Sequence, residues 1–283
     1  MNPPKSPISL TGAVEETSIS NMSERELQDV AHRTFTLEGR RILVTGASKG
    51  LGKELAIGFA GFGAEVACVA RSADGLRETV GSIEDAGGRA IFRAVDLRSP
   101  EAISATVTEI ATEMGGLDVL VNNAADDHDS RIEETSLETW QRVNELNVQS
   151  VFLLCQAAGP YLMANGGGKI INISSILGAI GVRDNSAYVA SKHAVLGFTR
   201  ALALEWARKG VQVNALCPGF IRTDMTRHAH ENEAVSKWIV SRTPMGRWGE
   251  TADLVGAAVF LASRASDFVT GQTLLVDGGY AAQ

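Results

Sequence analysis

From Leu37 onward the chain alternates short, nearly unbroken apolar runs with longer stretches in which apolar residues recur every three or four positions. The short runs predict strands at Arg41–Thr45, Glu65–Ala70, Ala90–Asp96, Leu117–Asn122, Lys169–Ser174, Val211–Leu216 and Gln272–Val276. A continuous apolar run suits a strand covered by helices on both faces. The longer stretches predict helices at Leu51–Phe62, Asp74–Glu84, Glu101–Met114, Leu137–Ala164, Tyr188–Arg208 and Glu250–Leu261. Strand–helix alternation of this kind defines an α/β chain: a Rossmann-type, doubly wound, mostly seven-stranded parallel sheet with helices on both faces, in one domain over residues 37–283. The polar segment 221–248 follows a Pro-Gly pair and reads as a substrate lid containing a short helix. Residues 1–36 read as a tail, flexible at first, with a short helix over Ser23–Phe35 capped by Ser23 and carrying Glu26 at its third position.

Composition narrows the function. The 283 residues are 45% apolar and 21% charged, enough for a full core. A net charge of −7 offers no broad cationic surface for nucleic acid, although a local pocket for one phosphorylated cofactor is compatible with it. Cys68, Cys155 and Cys217 lie far apart, each in an apolar run, and read as buried free thiols of a reducing cytoplasm. No run of 18 apolar residues and no signal pattern at the N-terminus appears, so no membrane partner is expected. No His, Asp or Glu set has metal-ligand spacing.

Thr45-Gly46-Ala47-Ser48-Lys49-Gly50-Leu51-Gly52 follows the first strand and opens the first helix. Glycines let the backbone turn sharply and approach a ligand, and the helix N-terminus presents unpaired N–H groups to an anion. The spacing G-x-x-x-G-x-G is neither the G-x-G-x-x-G fingerprint nor a P-loop. At the first strand–helix junction of such a sheet it predicts a dinucleotide site using Gly46, Ser48, Lys49, Gly50, Leu51 and Gly52. The second strand ends at Ala70-Arg71-Ser72, without the carboxylate that holds the ribose hydroxyl of NAD. Arg71 and Lys49 put cations there instead. Each alone is also an ordinary surface cation; together they favour NADP(H).

Tyr188-Val-Ala-Ser-Lys192 opens a helical stretch, and positions i and i+4 share a face. A nearby ammonium favours the phenolate, which lets a tyrosine exchange a proton with a carbonyl or carbinol oxygen. Found alone, Y-x-x-x-K describes a packed tyrosine and a surface lysine. The strand before it, however, emerges into Ser174-Ser175 at the carboxyl end of the sheet, where such folds bind ligands. Ser175 is placed to hold a substrate oxygen, and Ser174 to cap the turn that follows.

With these residues in view, the chain resembles the short-chain dehydrogenase/reductase family over about Leu37–Tyr280. The resemblance rests on TGASKGLG at Thr45–Gly52, DL at Asp96–Leu97, NNA at Asn122–Ala124, Asn147, ISS at Ile173–Ser175, YVASK at Tyr188–Lys192, PGFIRT at Pro218–Thr223 and DGG at Asp277–Gly279. It implies an NADP(H)-dependent oxidoreductase with Tyr188 as acid/base. Lys192 then holds the nicotinamide ribose and lowers the tyrosine pKa, and Ser175 positions the carbonyl. Asn147, in a bent helix, helps to hold a water linking Lys192 to solvent. Asp96 and Leu97 stand by the adenine, Asn123 and Ala124 by the adenosine ribose, and Pro218, Gly219, Ile221 and Thr223 by the nicotinamide. A homotetramer packed through the helices containing Asn147 and Tyr188 is also implied. Ala125 stands where the family has glycine, which puts the next loop's geometry in question.

The segment Thr243–Gly279, with its Arg247-Trp248-Gly249 triplet, is similar to sugar-acid dehydrogenases such as gluconate 5-dehydrogenase; related triplets occur in reductases of fatty-acid synthesis. The expected reaction moves a hydride between NADP(H) and a ketone or secondary alcohol, with a keto sugar acid such as 5-ketogluconate as one candidate substrate. An NAD(H)-dependent or 3-oxoacyl reductase, and a catalytically silent nucleotide-binding regulator, are the alternatives. Candidate substrate contacts are Asp126, His128, Arg183, Asn185 and Trp248. Arg183 also suits the surface or an interface, His128 a solvated loop, and Trp248 a brace for the helix starting at Glu250.

Overall fold

The computed structural model describes residues 23–282. All seven strands are parallel, in the order β3-β2-β1-β4-β5-β6-β7. They are β1 (Arg41–Thr45), β2 (Glu65–Ala70), β3 (Arg89–Ala94), β4 (Val119–Asn122), β5 (Gly168–Ile173), β6 (Val211–Pro218) and β7 (Thr273–Val276). Order reverses between β1 and β4, so a crevice opens at their carboxyl ends.

Alternation within the strands builds two cores. In β1, Ile42 and Val44 face α2 (Gly50–Gly61), α3 (Ala73–Asp85) and α10 (Ala252–Ala262), packing with Leu55, Phe59, Leu76 and Leu254. Leu43 faces the other way, toward α4 (Pro100–Glu113), α6 (Ser150–Ala164) and α7 (Ser186–Trp206), with Ile103, Leu154 and Leu202. Complete burial of each such side chain contributes roughly 1.5–3 kcal/mol. The edge strand β3 is only partly covered, so its run is apolar without being buried on both faces.

Helix starts follow cap chemistry. Ser72, Ser99 and Ser136 accept N–H groups at the starts of α3, α4 and α5 (Leu137–Asn144), and Pro100 stands in the first turn of α4. At α2 the capping position is Lys49, which makes no side-chain cap bond, and no acid stands in the first turn. That terminus keeps its N–H groups for something else.

The long helix expected over Leu137–Ala164 is broken. A π-helical turn, Glu145–Gln149, separates α5 from α6 and places Asn147 at the bend. The expected lid contains two short helices rather than one, α8 (Arg227–Glu231) and α9 (Glu233–Ser241). Before the sheet, α1 (Glu24–Phe35) forms where a short helix was expected; the flexible tail expected ahead of it lies outside the described residues. The three cysteines are buried and unpaired. Among the described residues no helix is long and apolar enough to cross a membrane.

Candidate active site

At the carboxyl ends of β1, β4, β5 and β6 lies a cleft of about 590 Å³. Gly46, Ser48, Lys49, Gly50, Leu51 and Gly52 form one end, Arg71, Asp96, Leu97, Asn123 and Ala124 its flank, and Ser175, Tyr188, Lys192, Pro218, Gly219, Ile221 and Thr223 the other end. Every cofactor residue expected from sequence is therefore in one continuous lining.

Two glycines of the loop, Gly46 and Gly52, have no room for a side chain. Gly46 has φ +68°, and a Cβ there would stand 2.8 Å from Asn123 Nδ2; at Gly52 a Cβ would stand 2.3 Å from the Gly46 carbonyl oxygen. Asn123 explains the crowding: its amide donates to the carbonyls of Thr45 (2.9 Å) and Gly46 (3.4 Å). Thr45 reciprocates, its hydroxyl accepting the N–H groups of Asn123 (2.9 Å) and Ala124 (3.1 Å). The side chain of Asn123 thus braces the loop, a role that residue type and position did not reveal, and Thr45 was not singled out at all. Ala125 fits without a left-handed conformation, since Asp184 is the one non-glycine described with positive φ. A shallow, glycine-lined turn facing an uncapped helix N-terminus fits a pyrophosphate.

At the ribose end, Arg71 is exposed and pairs with no acid among the described residues, while Lys49 leans toward Asp224 of the lid (3.9 Å). Although burial opposes it, hydrogen bonds and charge from Arg98, with help from Arg71, hold the Asp96 carboxyl below the usual range.

The reacting end is built by α7 against β5. Ser174 does not cap the turn after β5. Its hydroxyl donates to the Lys192 carbonyl (3.0 Å) and ties α7 to the strand, while Ser175 is the cap, accepting from Leu177 N–H (3.0 Å). Lys192 is buried, its ammonium donating to the Ile173 carbonyl (3.0 Å) and lying 5.4 Å from the Tyr188 ring centroid. Burial, with no carboxylate paired to it, lowers Lys192 to about 8. Tyr188 is raised, first by burial and then by the charge of Asp127, and the Ser175 hydroxyl opposes this only in part. In the protein by itself the phenol is therefore a neutral acid, not the tyrosinate that a lysine partner alone would favour.

Asn147 is buried and fully bonded. It accepts Asp126 N–H (2.8 Å) and donates to the Asp126 carbonyl (2.9 Å) and the Ser191 hydroxyl (3.0 Å), which in turn donates to the Tyr188 carbonyl (2.7 Å). One side chain in the π turn thus joins the loop after β4 to the first turn of α7.

The expected substrate contacts separate. Asp126 pairs with Arg142 of α5. Asn185, buried at the start of α7, donates to Asp127 (2.9 Å) and Asp129 (2.6 Å). His128 is half-buried and Arg183 exposed, and neither lines the cleft. Trp248 is not brought to the cleft: it is buried, donates to Ser236 of α9 (2.9 Å) and stands edge-on to Phe220 and to His230 of α8. It anchors the lid. The brace for α10 is instead Arg247, paired with Asp253 through both guanidinium nitrogens. His228, not considered for the site, links α8 to Asp129 (3.1 Å).

A dinucleotide-fitting crevice at the switch point, ending at a serine, tyrosine and lysine on adjoining elements, defines a nicotinamide-dependent oxidoreductase acting on a ketone or alcohol. The chain belongs to the short-chain dehydrogenase/reductase family: residues 46–281 match the family model described as enoyl-(acyl carrier protein) reductase. It is 42% identical over 245 residues to gluconate 5-dehydrogenase of Gluconobacter oxydans, covering 87% of this chain and 96% of that one. It is 43% identical over 249 residues to 2-dehydro-3-deoxy-D-gluconate 5-dehydrogenase of Bacillus subtilis, covering 88% and 97%. The crystal structure of a gluconate 5-dehydrogenase from Burkholderia cenocepacia with NADP and tartrate superposes with a TM-score of 0.87 at 37% identity, covering 89% of this chain and 99% of that one.

Proposed function

We propose that the protein is an NADP(H)-dependent reductase of a ketone on a hydroxylated carbon chain, run backward as an alcohol dehydrogenase, with a keto sugar acid such as 5-ketogluconate the first compound to test. The observation that carries this reading is the meeting of Ser175, Tyr188 and Lys192 at the end of the glycine-lined cleft. A bound nicotinamide dinucleotide supplies or takes the hydride. Ser175 hydrogen-bonds the substrate oxygen, and Tyr188, neutral through burial, donates the proton that converts a carbonyl oxygen to a hydroxyl. Lys192 stabilises the tyrosinate that results. Asn147 keeps α7 and the loop after β4 in register while this happens.

The choice of NADP(H) is supported by Arg71 and Lys49 at the ribose end and by the NADP bound to the Burkholderia relative. NADPH is expected to bind more tightly than NADH, and Arg71→Ala to remove much of the difference, about 1.5–3 kcal/mol for a charged hydrogen bond. Paired calorimetric titrations check this; tighter NADH binding in the unaltered protein reverses the assignment.

A pH dependence follows from Lys192, lowered to about 8 by burial. Below that pH the ammonium is charged and supports the tyrosinate; above it the charge is lost. Single-turnover reduction of 5-ketogluconate is expected to be steady up to about pH 8 and to decline beyond it. In Lys192→Met that decline should vanish along with most of the rate. A wild-type profile still rising at pH 9 contradicts the assignment.

The same reading includes a cytoplasmic homotetramer. It is supported by the three buried, unpaired thiols and by the exposed apolar Phe152 on α6 and Leu204 on α7.

A further inference from the structure

An acid of the lid stands inside the dinucleotide cleft. Thr223, Asp224, Met225 and Thr226, where the lid begins, line the cleft together with Lys49 and Gly50 of the glycine loop. Backbone bonds fix this turn. Ile221 forms a parallel bridge with Gly249, and Arg222 N–H donates to the Gly249 carbonyl (2.9 Å). The Thr226 hydroxyl donates to the Ile221 carbonyl (2.6 Å) and accepts Thr223 N–H (3.1 Å). Thr223 lies over the glycine loop, since a Cβ at Gly50 would stand 3.7 Å from Thr223 Cβ.

Asp224 is thereby placed with its Oδ2 3.9 Å from Lys49 Nζ, while Oδ1 pairs with Arg227 of α8. The hydrogen bond and charge of Arg227, with the charge of Lys49, hold the Asp224 carboxyl below its usual range, so it is an anion at neutral pH. Lys49 occupies the capping position of α2, where it makes no side-chain cap bond and no acid stands in the first turn. Its side chain is 71% exposed, which leaves it free to turn toward another anion in the cleft.

One ammonium cannot serve a carboxylate and a phosphate at full strength together. Resting on the dinucleotide reading above, we propose that Asp224 sets cofactor affinity as a resident anion, holding Lys49 until a phosphate of the entering dinucleotide displaces it. The exchange is close to balanced, because Asp224 keeps Arg227 when Lys49 turns away and is not left as an unpaired charge. Affinity is held below what the cations alone would give, and Lys49 returns to Asp224 as the phosphate departs. The displacing group is the 2′-phosphate of NADP(H) or the pyrophosphate shared with NAD(H).

Asp224→Asn keeps the size of the side chain and removes its charge. NADPH is expected to bind this variant roughly two- to fivefold more tightly than wild type in calorimetric titration, the range for an exposed ion pair. The gain falls on NADPH alone where the 2′-phosphate displaces Asp224, and on NADPH and NADH alike where the pyrophosphate does; either result supports the exchange. Lys49→Met binds NADPH more weakly, and adding Asp224→Asn to it should change affinity by less than about 1.5-fold, because the pair is already broken. The thermal transition checks folding, and Asp224→Ser repeats the test with a second uncharged side chain. Unchanged or weaker binding of both dinucleotides in Asp224→Asn, a gain on NADH alone, or a gain of the same size in the Lys49→Met background overturns the exchange and leaves the proposed function standing. A wild-type protein that binds neither dinucleotide overturns both.

Discussion

Tyr188→Phe is expected to fold, to bind NADPH as the unaltered protein does, and to lose roughly 10²–10⁴-fold in single-turnover reduction, the range for positioned acid–base catalysis. The ring is kept and so is its packing; only the hydroxyl goes. Burial makes that hydroxyl a neutral acid, and Ser175 and Lys192 are its polar neighbours at the end of the cleft. Neither neighbour replaces it. Serine is a far weaker acid than a phenol, and the Lys192 ammonium already donates to the Ile173 carbonyl. Hydride transfer at the wild-type rate in Tyr188→Phe would remove the tyrosine from the proton path.

The second large effect concerns cofactor binding without chemistry. In Gly52→Val the new Cβ would fall 2.3 Å from the Gly46 carbonyl oxygen, in the loop proposed to meet the pyrophosphate, and 2.4 Å from Asn123 Nδ2, which braces that loop. The loop has to move, and displacement of about an ångström costs on the order of 10²-fold in a positioned site. NADPH affinity should fall at least that far, read by fluorescence titration. The thermal transition serves as the check on folding, with Gly197→Ala as control, since a Cβ at Gly197 meets nothing. Wild-type affinity in Gly52→Val would show that the cofactor does not lie against this turn.

The sheet was legible because parallel strands buried on both faces leave unbroken apolar runs, and β1 and β2 fall on the expected residues. The break between α5 and α6 was not legible from periodicity. A single wider turn shifts the apolar stripe too little to notice over a long helix, and the bend was expected only from the family resemblance. The expected cofactor residues and Ser175, Tyr188 and Lys192 came together, because loops at the carboxyl ends of parallel strands converge on one crevice, whereas Asp126, His128, Arg183, Asn185 and Trp248 do not line it. Partners were harder to foresee. That Lys169, buried in β5, pairs with Asp267 near the far end of the chain (2.8 Å) has no sequence signal, since nothing local distinguishes it from a solvated lysine. Trp248 showed the same limit: an indole beside a lid is equally suited to touch substrate or to pin the lid, and only its bond to Ser236 decides.

The loop after β4 hangs from two asparagines, Asn147 gripping the backbone of Asp126 and Asn185 gripping the side chains of Asp127 and Asp129. Neither hook depends on the side chain of His128, and the Asn147 hook uses only main-chain atoms of the loop. This makes the loop a cassette. Position 128 can be rewritten while the turn that carries Tyr188 stays in place, provided the peptide at position 126 still reaches Asn147 and acceptors remain at positions 127 and 129 for Asn185. A change at position 128 leaves both hooks intact, whereas a deletion that shortens the span between them would pull on the π turn and on the start of α7 at once.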